Sequence, residues 1–191
     1  MWLIASEFDI DLPKKYLAVY KYLKYFEEKA KEREDQGQNW WNLRACAYYS
    51  EFKKEKVVWK RIGSILRFAY VNNDIYCQDS TCIMTGEHLK FLCAYMNSTL
   101  GQKLLFDKAP KTGTGDLIVS VQALEPLLVP PLTIQNQPIV NEIELLVERI
   151  IAAKQKNIRA NTSTLEDQID ELVYQLYELT PEERAIIKGK Q

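Results

Sequence analysis

Residues 40–60 read WWNLRACAYYSEFKKEKVVWK and hold three of the chain's four tryptophans beside a lysine-rich run. Within them Val57-Val58-Trp59 is a short β-branched and aromatic run, the composition of a strand. Large aromatics are buried far more often than they stack on bases, which assigns Trp40, Trp41 and Trp59 mainly to the core. The cations need another explanation. Arg44, Lys53, Lys54, Lys56, Lys60, Arg61 and Arg67 are dense enough to neutralise several backbone phosphates. They equally suit a solvated strand edge whose charges discourage aggregation, and charge alone does not choose.

On the N-terminal side, Trp2-Leu3-Ile4-Ala5 suits a buried strand. Asp11-Leu12-Pro13 then starts a helix, with Tyr16, Val19, Tyr20, Leu23, Phe26 and Ala30 at helical spacing up to the Gln36-Gly37 breaker. On the C-terminal side, residues 65–70 and 75–77 read as a hairpin about Asn72-Asn73-Asp74, with Cys82-Ile83-Met84 as another strand. After Gly86, a stripe of Leu89, Leu92, Cys93, Met96, Leu100 and Leu104 predicts one amphipathic helix. Residues 108–116 read as a loop and 117–121 as a strand, and Val129-Pro130-Pro131 closes this part. Two further apolar stripes follow, Ile139 to Ile151 and Leu165 to Leu179, the second opening on a Ser163/Glu166 capping box. Thr180-Pro181-Glu182-Glu183 begins a third, short helix. The expected fold is α+β: a small mixed sheet with packed helices over residues 1–135, then an antiparallel helical hairpin over 136–191.

With 191 residues, 47% apolar and 27% charged, the chain has a globular composition. Its net charge is −1, unevenly spread: residues 1–116 carry 18 Lys/Arg against 15 Asp/Glu, and residues 117–191 carry 7 against 11. Residues 40–72 carry 7 against 2, so the opening segment sits in the basic part. Cys46, Cys77, Cys82 and Cys93 lack a paired spacing and His88 is the only histidine, so buried thiols are expected rather than a zinc site. No apolar run reaches bilayer length and the start does not have a signal-peptide plan, which points to the cytoplasm.

Catalytic sets are missing too. Lys111-Thr112-Gly113-Thr114-Gly115 has glycines but leads to a strand and lacks the Lys-Ser ending of a phosphate loop. Neither the Asn-Pro-Pro-Tyr tetrapeptide of adenine methyltransferases nor a glycine-rich S-adenosylmethionine site occurs. A metal nuclease using Asp35 or Asp74 with Glu51-Phe52-Lys53 is the enzymatic alternative. The residues favour binding, and no catalytic or metal-ligating residue is assigned.

The order Trp40-Trp41-x-Leu43-Arg44-x-Cys46-x-Tyr48-Tyr49-x-x-Phe52-x-x-x-Lys56-Val57-Val58-Trp59 resembles the TaqI-like C-terminal specificity domain of bacterial type II restriction–modification enzymes. The likeness continues in order through Tyr16–Phe26 before it, and Leu92-Cys-Ala-Tyr-Met-Asn97-Ser98-Thr-Leu100 after it. Val119-Ser120 to Pro131 resembles the exit into a helical spacer, and Asp170 to Glu183 the C-terminal helix.

The resemblance implies a double-stranded DNA target-recognition domain, attached to an adenine-N6 methyltransferase and in some members to an endonuclease. S-adenosylmethionine, and magnesium where a nuclease is present, are expected only in those catalytic domains. A basic segment usually precedes the first strand in this family, so a truncated or split recognition domain is expected here. Base-reading residues differ with each target and are not carried over. From charge and loop chemistry, Lys53, Lys54, Lys60, Arg61 and Lys111 are expected to contact phosphates. Arg44, Arg67, Thr112 and Thr114 are expected to approach more closely. The terminal helices are expected to dock on the methyltransferase domain or on a second copy. A module that only mediates protein assembly is the non-enzymatic alternative.

Overall fold

The computed structural model describes residues 10–34, 36–42, 48–77 and 80–189. They fall into two compact units, residues 1–50 and residues 51–191. The strand expected at residues 2–5 lies outside the described residues.

In the first unit the expected long helix is three short ones: α1 (Leu12–Lys15), α2 (Leu17–Lys24) and α3 (Glu27–Lys31). Asp11 caps α1 by accepting from the Lys14 N–H at 3.3 Å. The breaks fall at Tyr16 (φ −136°, ψ 56°) and Phe26 (φ −110°, ψ 6°). Aromatic side chains lose χ1 freedom against the preceding turn, which makes these positions the weak points of an otherwise periodic run. The Tyr20 ring meets Trp41 edge-on at 5.4 Å and Trp40 at 5.8 Å. Arg33 donates to the carbonyls of Trp40 at 2.7 Å and Asn42 at 3.0 Å, fixing the turn that carries both tryptophans.

The second unit is built on β1 (Lys56–Lys60). It is the central strand of an antiparallel sheet, with β3 (Phe68–Val71) on one side and β4 (Thr81–Met84) on the other. The hairpin expected between residues 65–70 and 75–77 does not form. Residues 74–77 are irregular, and both neighbours pair with β1 instead. The physical reason is alternation: Val57 and Trp59 are buried on one face, so β1 gains most by being paired along both edges. The chain then runs through β2 (Ile62–Gly63), which pairs with β5 (Leu117–Ile118). Trp59 joins the two small sheets by donating its indole N–H to the Val119 carbonyl at 2.8 Å.

One helix expected after Gly86 is two, α4 (Leu89–Asn97) and α5 (Thr99–Lys108), broken at Ser98. Ser98 takes extended angles (φ −64°, ψ 157°) and caps α5 by accepting from the Gly101 N–H at 3.1 Å. Only glycine fits at 101, because a Cβ there would lie 2.0 Å from the Tyr95 carbonyl oxygen. α6 (Val121–Leu124) is a single turn.

α7 (Gln137–Lys156) packs on α4 and on α8 (Ser163–Leu176), and α9 (Pro181–Ile187) on α5. Residues 136–189 thus share one core with the sheet, in which Phe91, Tyr95, Val140, Ile143, Val173 and Tyr174 are fully enclosed. The capping box expected at Ser163 occurs instead at Thr180 and Glu183. Thr162 is the N-cap of α8, and its hydroxyl bonds the Glu166 side chain at 2.6 Å. Among the described residues, no helix is long and apolar enough to cross a membrane.

Candidate nucleic-acid interface

The registers of β1 divide the predicted cations into two groups. Lys60 ends β1 opposite Thr81, and Arg61 follows with its N–H bonded to Ser80 O at 2.9 Å. Phe68 pairs with Trp59, so Arg67 joins the sheet at the same end as Lys60. The Arg61 carbonyl also accepts from the Val119 N–H at 2.8 Å, and Ile62 lies beside Ile118. Residues 111–117 are folded onto that same second sheet through the Lys111–Leu117 bridge. Lys60, Arg61, Arg67 and Lys111 are all exposed and gather around one end of the molecule's central strand.

The hairpin at 111–117 is tighter than a flexible loop. The Thr112 N–H donates to Asp116 O at 2.8 Å and Gly115 N–H to Thr112 O at 2.9 Å. The Thr112 hydroxyl accepts from the Asp116 N–H at 3.0 Å and lies 2.9 Å from the Thr114 hydroxyl. Gly115 has φ +89°, a left-handed value that closes this turn without strain only for glycine. Thr112 is therefore half-buried and committed to the turn, whereas Thr114 is exposed at its tip. The Lys111 ammonium sits 4.1 Å from the Phe106 ring centre, which orients it without neutralising it.

Lys53 and Lys54 lie at the opposite end of β1. The strand between Lys56 and Lys60 is about 13 Å long at the usual rise per residue, and the 3-10 turn with Lys53 precedes it. Lys54 is paired with Glu51 at 2.6 Å, and the other Glu51 oxygen accepts from the Thr85 hydroxyl at 2.6 Å. This end is rich in carboxylates: Glu55, Glu87 and Glu144 line an open cleft of about 420 Å³ with Tyr70, His88 and Lys90. Burial, aided by the bond to Glu55, pushes the Tyr70 hydroxyl up to about 12. Carboxylates thus line the cleft at this end, and exposed cations stand at the Lys60 end. Of the metal-nuclease alternative, Glu51 is engaged through both oxygens, and among the described residues no three acidic, histidine or cysteine groups cluster. Asp35 and Arg44 lie outside the described residues.

Lys56, counted among the phosphate-neutralising cations from sequence, is fully buried. Its ammonium donates to the carbonyls of Phe52 at 2.8 Å, Lys54 at 2.7 Å and Asn73 at 2.8 Å. It ties the 3-10 turn before β1 to the loop after β3, and no phosphate can reach it. Nothing in the alternating pattern Lys56-Val57-Val58-Trp59-Lys60 distinguishes this lysine from Lys60.

Sequence reading gave no structural role to the groups that hold the site in place. Asn97 accepts from the Phe68 N–H at 3.1 Å and donates to the Phe68 carbonyl at 2.8 Å. Cys93 donates to the same carbonyl at 3.5 Å, and burial pushes its thiol up to about 11. Asp170 of α8 accepts from both the N–H (2.8 Å) and the hydroxyl of Thr99, placing a carboxylate at the start of α5. A polar Asn-Ser-Thr triplet interrupting an apolar helical stripe was the available signal.

A family model described as TaqI-like C-terminal specificity domain matches residues 6–124. No curated protein matches the chain significantly.

Proposed function

The chain belongs to the family of TaqI-like C-terminal specificity domains, and from that premise we propose that it recognises a duplex DNA sequence for a restriction–modification enzyme. The observation that carries this reading is the grouping of Lys60, Arg61, Arg67 and Lys111 at one end of β1, away from the acidic cleft at the other. In this reading Lys60, Arg61 and Lys111 hold backbone phosphates and set register. Arg67 and the tip of the 111–117 hairpin approach the base edges, where a guanidinium can take guanine bidentately. The catalytic step belongs to an attached or partner domain, an adenine-N6 methyltransferase that binds S-adenosylmethionine, with a magnesium-dependent nuclease in a bifunctional parent. The C-terminal helices supply the docking element for that domain.

Fluorescence titration with a mixed-sequence duplex at 50 and 200 mM salt, on the order of the range where phosphate contacts dominate, tests the reading. Binding weakens with salt, and Lys60→Ala and Arg61→Ala each lower the logarithmic salt slope by about one. Lys53→Ala leaves it unchanged. No association at low salt, or binding indifferent to salt, defeats the proposal; equal effects at Lys53 and Lys60 defeat the assignment of the face.

A further inference from the structure

We infer that Asn97 is a positioning residue for Arg67, an inference that rests on the DNA-recognition reading above. Arg67 is exposed and ends the segment that crosses from β2 to β3. It stands just before β3, which is paired on one side only, with β1. What the structure fixes is the backbone that carries it, through the peptide unit that follows. The Phe68 N–H belongs to the rigid plane shared by Arg67 and Phe68, and it donates to the Asn97 side-chain oxygen at 3.1 Å. The Asn97 amide nitrogen returns a bond to the Phe68 carbonyl at 2.8 Å. One primary amide thus imitates a neighbouring strand, closing a two-point clamp at the place where Arg67 leaves the sheet.

The clamp is itself anchored. The Asn97 amide nitrogen also donates to Cys93 O at 2.9 Å, which fixes its rotamer against α4. Immediately beyond it, Ser98 caps α5, Asp170 holds the Thr99 N–H at 2.8 Å, and Gln102 donates to Met96 O at 2.6 Å. The other end of the crossing segment is held by the pairing of Ile62 with Ile118, and Leu66 within it is buried. Arg67 is therefore presented from a segment secured at both ends, with Ile65, 66% exposed, beside it. A guanidinium carried on a secured backbone loses less freedom on binding than one on a mobile segment.

The test is a double-mutant cycle on the full chain with a mixed-sequence duplex at low salt. Arg67→Ala is expected to weaken binding about tenfold, the scale of one good charged contact. Asn97→Ala, corrected for folded fraction by urea titration, is expected to weaken it about threefold, a share of that contact. In the Arg67→Ala background, Asn97→Ala should then cost nothing more. Additive losses leave DNA recognition standing and overturn the inference. No binding by the parent chain overturns the reading and the inference together, and an Arg67→Ala variant that binds normally overturns the role of Arg67. Asn97→Asp, which keeps the acceptor and loses the donor, serves if Asn97→Ala does not fold. If neither variant unfolds cooperatively, Asn97 is a general structural residue and the inference fails. Amide exchange gives an independent reading: the Phe68 N–H should exchange faster in Asn97→Ala while that of Val57 does not.

Discussion

Replacing Lys56 by methionine separates the structural cations of this chain from the binding ones. Methionine keeps most of the side chain's length and apolar stem but removes all three donors. The Phe52 carbonyl loses its ammonium donor where water does not reach, and those of Lys54 and Asn73, in partly buried sites, can be resolvated. A buried carbonyl without a donor costs about 1–3 kcal/mol, and a bond to an ammonium about 1.5–3 kcal/mol. Against this, the variant no longer strips water from a charge, which recovers part of the loss. The net expectation is a destabilisation of about 2–3 kcal/mol, or a Tm lower by roughly 5–10 °C for a chain of this size. Urea unfolding followed by circular dichroism measures it, with an unchanged m-value showing that the unfolding reaction is the same. DNA titration of the same variant, corrected for folded fraction, should give the parental salt slope. A stability loss under about 0.5 kcal/mol, the scale of a neutral surface change, would refute the reasoning. So would a salt slope lower by about one, since that is the mark of a lost phosphate contact.

Three further outcomes follow from the α4–α5 corner. Gly101→Ala drives a Cβ to 2.0 Å from Tyr95 O and should cost about 3 kcal/mol, read as a lower urea midpoint. Asp170→Asn keeps an acceptor for the Thr99 N–H but removes the charge at the start of α5, so a loss of about 1 kcal/mol is expected in the same assay. The Cys93 thiol is held at about 11 in the fold against a reference of 9.0, so its neutral form is the one the fold prefers. Its contribution is complete below pH 9 and is lost as pH rises through 11, an effect of about 2–3 kcal/mol at most. Cys93→Ala should make the fall in stability between those values shallower, and in the parent Cys93 should resist alkylation at pH 8.

Where local pattern and burial agree, the chain was legible. The apolar stripes of α7 and α8 and the strand at Val57–Trp59 need only periodicity and β-branched composition to be found. Residues 65–77 were misread because strand composition does not say which strand is the partner. The chain bends at Asn73, but β3 and β4 both pair with β1 rather than with each other. Helix breaks at Tyr16 and Ser98 were invisible to a periodic count, since the stripe continues across each with little change of phase. Among the expected DNA contacts, Lys60, Arg61, Arg67 and Lys111 come together only because β2 pairs with β5 and β3 with β1, pairings that reach as far along the chain as Ile62 to Ile118.

The amino-acid sequence by itself determined the class of this protein: its α+β composition, its basic segment and the ordered motifs of a specificity domain, all of which are properties of residue type and spacing. Tertiary structure alone decided which cations can meet a ligand. Lys56 and Lys60 occupy equivalent places in one strand pattern, yet three carbonyls brought in by the preceding turn and the loop after β3 enclose the first and leave the second in solvent. Burial of a charge depends on acceptors delivered by distant chain, and no local pattern records where those will lie.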